Sequence, residues 1–213
     1  MINQLFWDFD GTLFDTYPMM IAAFKRALLK MAIDEVAIDE HDIYVTMRQH
    51  DVGTAIQKAA AFYGIDEQTL RRLNKKYQVE MVEAAKPFDG VAEVLAFVKK
   101  MSGSHYLLTH RDNQAKRLLQ KFDLLKCFSD FVTSDQEFPR KPNPASINWL
   151  IEKNHVDRSS AIMIGDRKLD VQAGNHANVA SCLFDPDGLI VETGNPDIKI
   201  TEVKELIPWL SKR

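Results

Sequence analysis

Apolar residues in this chain follow two alternating rhythms. Short, nearly continuous apolar runs recur at QLFWDF (4–9), HYLLTH (105–110), FSDFVTS (128–134), AIMIGD (161–166) and VASCLF (179–184). A strand covered on both faces has no polar face to alternate with, so these runs predict strands of a parallel sheet. Between them, GVAEVLAFVKKM (90–101), NQAKRLLQKF (113–122) and PASINWLIEKN (144–154) repeat apolar residues every three or four positions. That is the stripe of a helix packed on a sheet. The alternation predicts a doubly wound α/β fold.

Residues 16–86 break the pattern. No strand is legible there; MMIAAFKRALLKM (19–31), VGTAIQKAAAFYG (52–64) and EQTLRRLNKKYQVEMVEAA (67–85) all carry helical spacing. Gly64 reads as a helix stop and Asp66 as the cap of the next helix. Asp15 reads as the cap of the first inserted helix, with a substrate contact as the alternative. KPFDGV (86–91) looks like the return hinge, punctuated by Pro87 and Gly90. The chain therefore divides into an α/β core, residues 1–15 with 87–213, and an inserted helical domain, residues 16–86.

Charge narrows the partners. The 213 residues carry a formal net charge of −3 with no long Lys/Arg run, which argues against nucleic acid or an anionic membrane surface as the main partner. The start shows no basic-then-apolar leader, and no run nears the roughly 18 apolar residues of a membrane span. A cytoplasmic protein is expected. Cys127 and Cys182 lie isolated in apolar surroundings and read as buried, reduced thiols. The six histidines lack zinc-ligand spacing.

Ligands of open α/β sheets bind beyond the carboxyl ends of the strands. The first predicted strand runs into Asp8, Asp10 and Gly11, and the second into Thr109, His110 and Arg111. The loop FPRKPNP holds Lys141, and the fourth strand ends in GDRKLD with Asp166 and Asp170. So many carboxylates at one sheet end call for a cation among them. Alternation sends Asp8 and Asp10 off the same face of a strand. Asp166 and Asp170, four apart, become neighbours if a helix begins at GDRKLD. An all-oxygen donor set suits Mg²⁺. An aspartate can also act as a covalent nucleophile toward phosphate, with the cation screening the approach of two anions. Lys141, Thr109 and backbone amides near Gly11 would hold the phosphoryl oxygens. A second carboxyl must protonate the leaving oxygen and then deprotonate water, a role that suits Asp10.

DFDGTLFD, a strand ending in Thr109, RKPNP and IGDRKLDVQAG together resemble the four motifs of the haloacid dehalogenase superfamily, in order, from about Leu5 to Asp185. The helical insertion resembles the first type of cap in that superfamily, as in its phosphoglycolate phosphatase and β-phosphoglucomutase branch. The resemblance implies a Rossmann-like parallel sheet core with an inserted α-helical cap. It implies Mg²⁺-dependent hydrolysis of a small phosphorylated metabolite through a phospho-aspartate, by a monomer or dimer. Asp8 then corresponds to the nucleophile and a metal ligand. Asp10 corresponds to the acid/base, its backbone carbonyl also reaching the metal. Thr109 and Lys141 correspond to the phosphate holders, Asp166 to a metal ligand, and Asp170 to a ligand or the partner of one. Dehalogenases of the superfamily typically lack an acid at the place of Asp10, which favours phosphate chemistry. Two residues depart from the pattern: His110 stands where relatives often have Asn or Ser, and Asn178 where they often have Gly. Arg48 and His50, in the stretch TMRQHDVG (46–53) expected to join two cap helices, are candidate substrate contacts, as are His110 and Arg111. Arg167 is expected to pair with a neighbouring acid. The alternatives are a phosphosugar mutase built on the same core residues, and a catalytically inactive binding module.

Overall fold

The computed structural model describes residues 1–212. The chain packs as two compact units, residues 1–14 with 87–213, and residues 15–86.

The first unit is built on six strands: β1 (Gln4–Trp7), β4 (Ser104–Leu108), β5 (Phe128–Val132), β6 (Ala161–Gly165), β7 (Ala180–Phe184) and β8 (Ile198–Ile200), in the order β5-β4-β1-β6-β7-β8. All neighbours pair in parallel, with Trp7 opposite both Leu107 and Ile164. Helices α5 (Val91–Lys100), α6 (Gln114–Lys121), α7 (Ala145–Lys153), α8 (Lys168–His176) and α9 (Leu206–Leu210) complete the unit. Every residue of β6 is buried, and Phe6 of β1 stacks on Tyr106 of β4 at 4.7 Å inside a cluster with Ile147, Leu150 and Met163. The runs of β1, β4, β6 and β7 are thus central strands covered on both faces, whereas β5 stands at the sheet edge with Ser129 exposed. Strand β8 escaped the pattern because it is a three-residue edge segment, Ile-Lys-Ile, whose middle side chain is exposed.

An imidazole sits inside this core. His105 of β4 accepts a hydrogen bond at Nδ1 from Trp7 Nε1 (3.1 Å), and its Nε2 lies 3.1 Å from the Leu95 carbonyl. The Trp7 donor fixes the proton on Nε2, so both ring nitrogens of a neutral imidazole are satisfied. Burial pushes the imidazole down to about 4.

The second unit holds α1 (Tyr17–Lys30), α2 (Glu40–Gln49), α3 (Val52–Tyr63) and α4 (Glu67–Met81). Asp66 caps α4 by accepting from the Thr69 N–H at 2.7 Å, and Gly64 ends α3 in a left-handed turn at φ +64°. The cap of α1 differs from expectation. Thr16, not Asp15, occupies that position, and no side chain caps the helix there. Asp15 instead belongs to β2 (Phe14–Asp15), paired with β3 (Lys86–Pro87) where the chain leaves and re-enters the first unit. Pro18 in the first turn lacks one of the N–H groups a cap would have to satisfy.

Helix α2 corrects a second expectation. Residues 46–49 are its last turn rather than a loop, so only His50 and Asp51 join α2 to α3. Arg48 is 2 % exposed, its guanidinium 5.3 Å from the ring centre of Tyr17. His50 is exposed at the end of α2. Both cysteines are free; Cys182 is buried, with its thiol pushed up by burial, whereas Cys127 is only half-buried at the end of a 3₁₀ turn.

Candidate active site

Three adjacent strands deliver the site. Asp8 follows β1, Thr109 follows β4 and Asp166 follows β6, while Lys141 comes from the β5–α7 loop and Asp170 from the first turn of α8. The Asp8 N–H still donates to the Ile164 carbonyl (2.9 Å) and the Thr109 N–H to that of Val132 (3.0 Å). Both side chains are therefore aimed by the continuing ladders, not by loose loops.

Asp8, Asp166 and Asp170 are all buried, and each offers a carboxylate oxygen within 4.8 Å of the other two. Lys141 reaches the carboxylates, its Nζ 2.5 Å from Asp8 Oδ1, 2.6 Å from Asp170 Oδ1 and 3.3 Å from the Leu108 carbonyl. Burial raises the Asp8 carboxyl to about 7 against the pull of Lys141, and the nearby Asp170 and Asp166 push the same way. Burial alone would lower the Lys141 ammonium, but Asp170 and Asp8 hold it above its ordinary range. Three buried carboxylates against one ammonium leave an excess of negative charge in a dry place. The donor set is all oxygen. This deficit and these donors fit a divalent hard cation such as Mg²⁺.

Helix α8 begins at Lys168, so Asp166 lies before it and Asp170 within its first turn. The two are not stacked along one helix. Asp170 instead turns back, its Oδ2 accepting the Arg167 N–H at 3.2 Å. That return is possible only because residue 165 is glycine: a Cβ there would stand 2.2 Å from Asp170 Cβ and 2.6 Å from its Oδ2. Gly165 was invisible as a site residue, since only the folded turn brings it against Asp170. Arg167 Nε lies 3.9 Å from Asp166 Oδ1, the local pairing expected of it.

Gly11 turns the chain at φ +71°, but its N–H donates to the Phe14 carbonyl (2.8 Å). Its own amide is engaged within the turn. The Asp10 carboxylate lies apart from the buried trio and is gripped by Arg111, Nη2 to Oδ1 at 2.7 Å and Nε to each oxygen at 3.2 Å. Sequence reasoning offered Arg111 as a surface residue or a substrate contact and missed this pair. Thr109 Oγ1 accepts the Arg111 N–H at 3.0 Å, which leaves the hydroxyl proton to be donated elsewhere. His110 lines a cavity of about 170 Å³ together with Thr109, Lys141, Ser134, Glu137 and Arg140. Burial, then Lys141 and Arg140, push its imidazole down to about 3, so it is neutral at physiological pH. Asn178 adopts φ +54°, the left-handed turn expected of it.

The arrangement matches known proteins over nearly its whole length. The sequence profile of the haloacid dehalogenase-like hydrolases covers residues 5–184. A phosphoglycolate phosphatase of Vibrio parahaemolyticus is 25 % identical over 216 residues, spanning 97 % of this chain and 95 % of the relative. A hydrolase from Streptococcus pneumoniae TIGR4 is 31 % identical with a TM-score of 0.65, over 86 % of this chain and 92 % of its own. A HAD-superfamily hydrolase of subfamily IA from Geobacter sulfurreducens shares the fold at a TM-score of 0.77 and 20 % identity, over 98 % and 96 % of the two chains. With profile, relatives and strand-end geometry in agreement, the chain belongs to the haloacid dehalogenase-like hydrolases.

Proposed function

We propose that this hydrolase is a Mg²⁺-dependent phosphatase of small phosphomonoesters, with Asp8 as nucleophile and Asp10 as acid/base. The observation that carries the reading is the buried trio of Asp8, Asp166 and Asp170 with Lys141 bridging two of its members. Asp8, Asp166, Asp170 and the Asp10 carbonyl would hold the cation. When bound, Mg²⁺ neutralises charge on the phosphoryl oxygens and on the attacking carboxylate.

The chain's own groups do the rest. An Asp8 oxygen bonds to phosphorus as the bond to the leaving oxygen breaks, and Asp10 gives that oxygen its proton. A water then attacks phosphorus while the Asp10 carboxylate takes up its proton, and the Asp8–phosphorus bond breaks to release phosphate. The Lys141 ammonium and the Thr109 hydroxyl proton would hold phosphoryl oxygens through both steps. Residues 16–86 would act as a lid that limits water during the first step and opens for exchange. Curated relatives named as phosphoglycolate phosphatases make phosphoglycolate the first substrate to try.

The test is phosphate release from a panel of small phosphomonoesters, with and without Mg²⁺, by the wild type and Asp8→Asn. Release that depends on the metal and falls by about 10⁴-fold or more in the folded variant is expected, since the nucleophile is removed while its shape is kept. Undiminished turnover by Asp8→Asn would exclude the phospho-aspartate route.

A further inference from the structure

Asp10 and Asp8 are two residues apart, yet they live in different surroundings. Asp8 is sealed among charges, whereas the Asp10 side chain is 26 % exposed on a turn. An exposed carboxylate on a turn rotates freely unless something holds it. Here Arg111 does, with a fork of donors that touches both oxygens: Nη2 at 2.7 Å from Oδ1, and Nε at 3.2 Å from Oδ1 and Oδ2. A planar guanidinium in this grip fixes both the place and the rotation of a carboxylate, which a point charge cannot do.

The fork is itself anchored on two sides. Arg111 Nη1 donates to Gln114 Oε1 at 2.9 Å, and Gln114 is a buried residue at the start of α6. The Arg111 backbone N–H donates to Thr109 Oγ1 at 3.0 Å. One residue thus links the end of β4, the first turn of α6 and the opening motif 101 positions away. Two anchors behind a two-oxygen grip fix the guanidinium in one orientation, and the carboxylate with it.

We propose that Arg111, held by Gln114, is a positioning residue for the proton transfers of Asp10. The inference rests on the phosphatase reading and deepens it. Its role is to present the Asp10 carboxyl to the leaving oxygen as the phosphorus–oxygen bond breaks, and to the water that follows. Arg111 acts through the Asp10 carboxyl that it holds.

Leaving groups of different basicity test this directly. An alkoxide needs its proton as it departs, whereas a p-nitrophenolate does not, so only the first depends on a well-placed acid. The quantity to measure is kcat/KM for an alkyl phosphate and for p-nitrophenyl phosphate, both with Mg²⁺, in wild type, Arg111→Leu, Arg111→Lys and Gln114→Met, with melting curves as the folding control. Arg111→Leu is expected to lower the alkyl value by about 100-fold and the aryl value by less than about 5-fold, because misplacement forfeits much of what general acid catalysis supplies. Arg111→Lys keeps the charge but loses the fork, and is expected to recover little. Gln114→Met removes the anchor alone, and is expected to show the same selective loss in weaker form.

Equal losses on both substrates would overturn the proposal, as would full recovery by Arg111→Lys. A rise in KM shared by both substrates would make Arg111 an anion contact instead. A variant that gains on the alkyl substrate would show that the pair holds Asp10 out of action. Failure of the wild type on both substrates would sink the phosphatase reading itself, a result visible before any Arg111 variant is made.

Discussion

The two units of this protein handle charge in opposite ways. In the helical unit, Lys25–Glu35 (2.7 Å), Arg71–Glu67 (2.7 Å) and Arg26–Glu80 (3.2 Å) pair at the surface, where water screens them and their loss changes little. In the α/β unit, Asp8, Lys141, Asp166 and Asp170 are all buried, where each ion taken from water costs several kcal/mol before pairing returns part of it. A fold gains nothing from that cost, so a buried charge cluster at the ends of three central strands marks a place where dry charge is used. The helical unit has one comparable feature. Arg48 is buried near the face of Tyr17, whose ring meets Tyr44 edge-on at 5.5 Å. There the weakly hydrated guanidinium lies over an aromatic surface.

If the buried cluster is what separates the units, the sharpest way to break the contrast is to displace one of its members without removing it. Gly165→Ala does so. The added methyl would collide with Asp170 Cβ and Cγ at 2.2 and 2.3 Å, so strand β6 or helix α8 must shift. Overpacking of this kind destabilises by about 3 kcal/mol. The accompanying movement of Asp170 away from Lys141 should lower kcat/KM by about 100-fold. Thermal unfolding and phosphate release measured on the same preparation check both halves. Unchanged turnover with lowered stability would show that Asp170 matters only for folding.

A smaller effect sharpens the contrast through pH. His105 is held neutral inside the α/β unit, at about 4 against 6.5 in the unfolded chain. On acidification the unfolded chain binds the proton first, so the contribution of His105 is complete above pH 6.5 and is lost as pH falls toward 4. The loss amounts to about 2 kcal/mol by pH 5. Asp8 works in the other direction. Its carboxyl is raised from 3.8 to about 7, so protonation favours the folded state as pH drops through that range. Total stability therefore mixes the two, and the difference between wild type and His105→Gln isolates one. Glutamine offers a donor and an acceptor but does not titrate. The stability gap between the two proteins should narrow by about 2 kcal/mol between pH 7 and pH 5, measured by urea unfolding. A constant gap would mean that His105 takes up its proton as readily in the folded state as in the unfolded chain.

The features legible in sequence are those that depend on local order. Continuous apolar runs gave the five longer strands, and strand ends in a parallel sheet must share one edge, so Asp8, Thr109 and Asp166 had to emerge side by side. Asp66 and Gly64 were readable because caps and stops are local too. What stayed hidden depends on folded proximity or on weak signals. The Asp10–Arg111 pair spans 101 positions, and Gly165 meets Asp170 only after the chain has turned from β6 into α8. Strand β8 was too short to show a period, and α2 too polar, with only Ile43 and Met47 as buried apolar residues. Missing α2 is what moved Arg48 from a helix into an expected loop. The tight turn at Gly11 takes up that residue's own N–H, which a sequence does not show.

The mildest change tests the other side of the contrast, where charge is exposed and its work is local. Asp66 accepts the Thr69 N–H at 2.7 Å, and hydrogen bonds from the Thr69 side chain and backbone hold its carboxyl below the usual value of 3.8. Asp66→Ala leaves an N–H of the first turn of α4 without this acceptor and removes a negative charge from the positive end of the helix. A drop of about 3 °C in melting temperature is expected at neutral pH, typical of a lost cap in a chain of this size. Because the folded value is depressed, the contribution is present above 3.8 and fades as pH falls below it, so the two melting curves should draw together as the pH is lowered past that value. The phosphate-release rate per folded molecule should stay within about 2-fold, since surface changes remote from a site are usually near neutral. Turnover that falls with the cap would mean that the helical unit's own stability, and not the buried cluster alone, limits the rate.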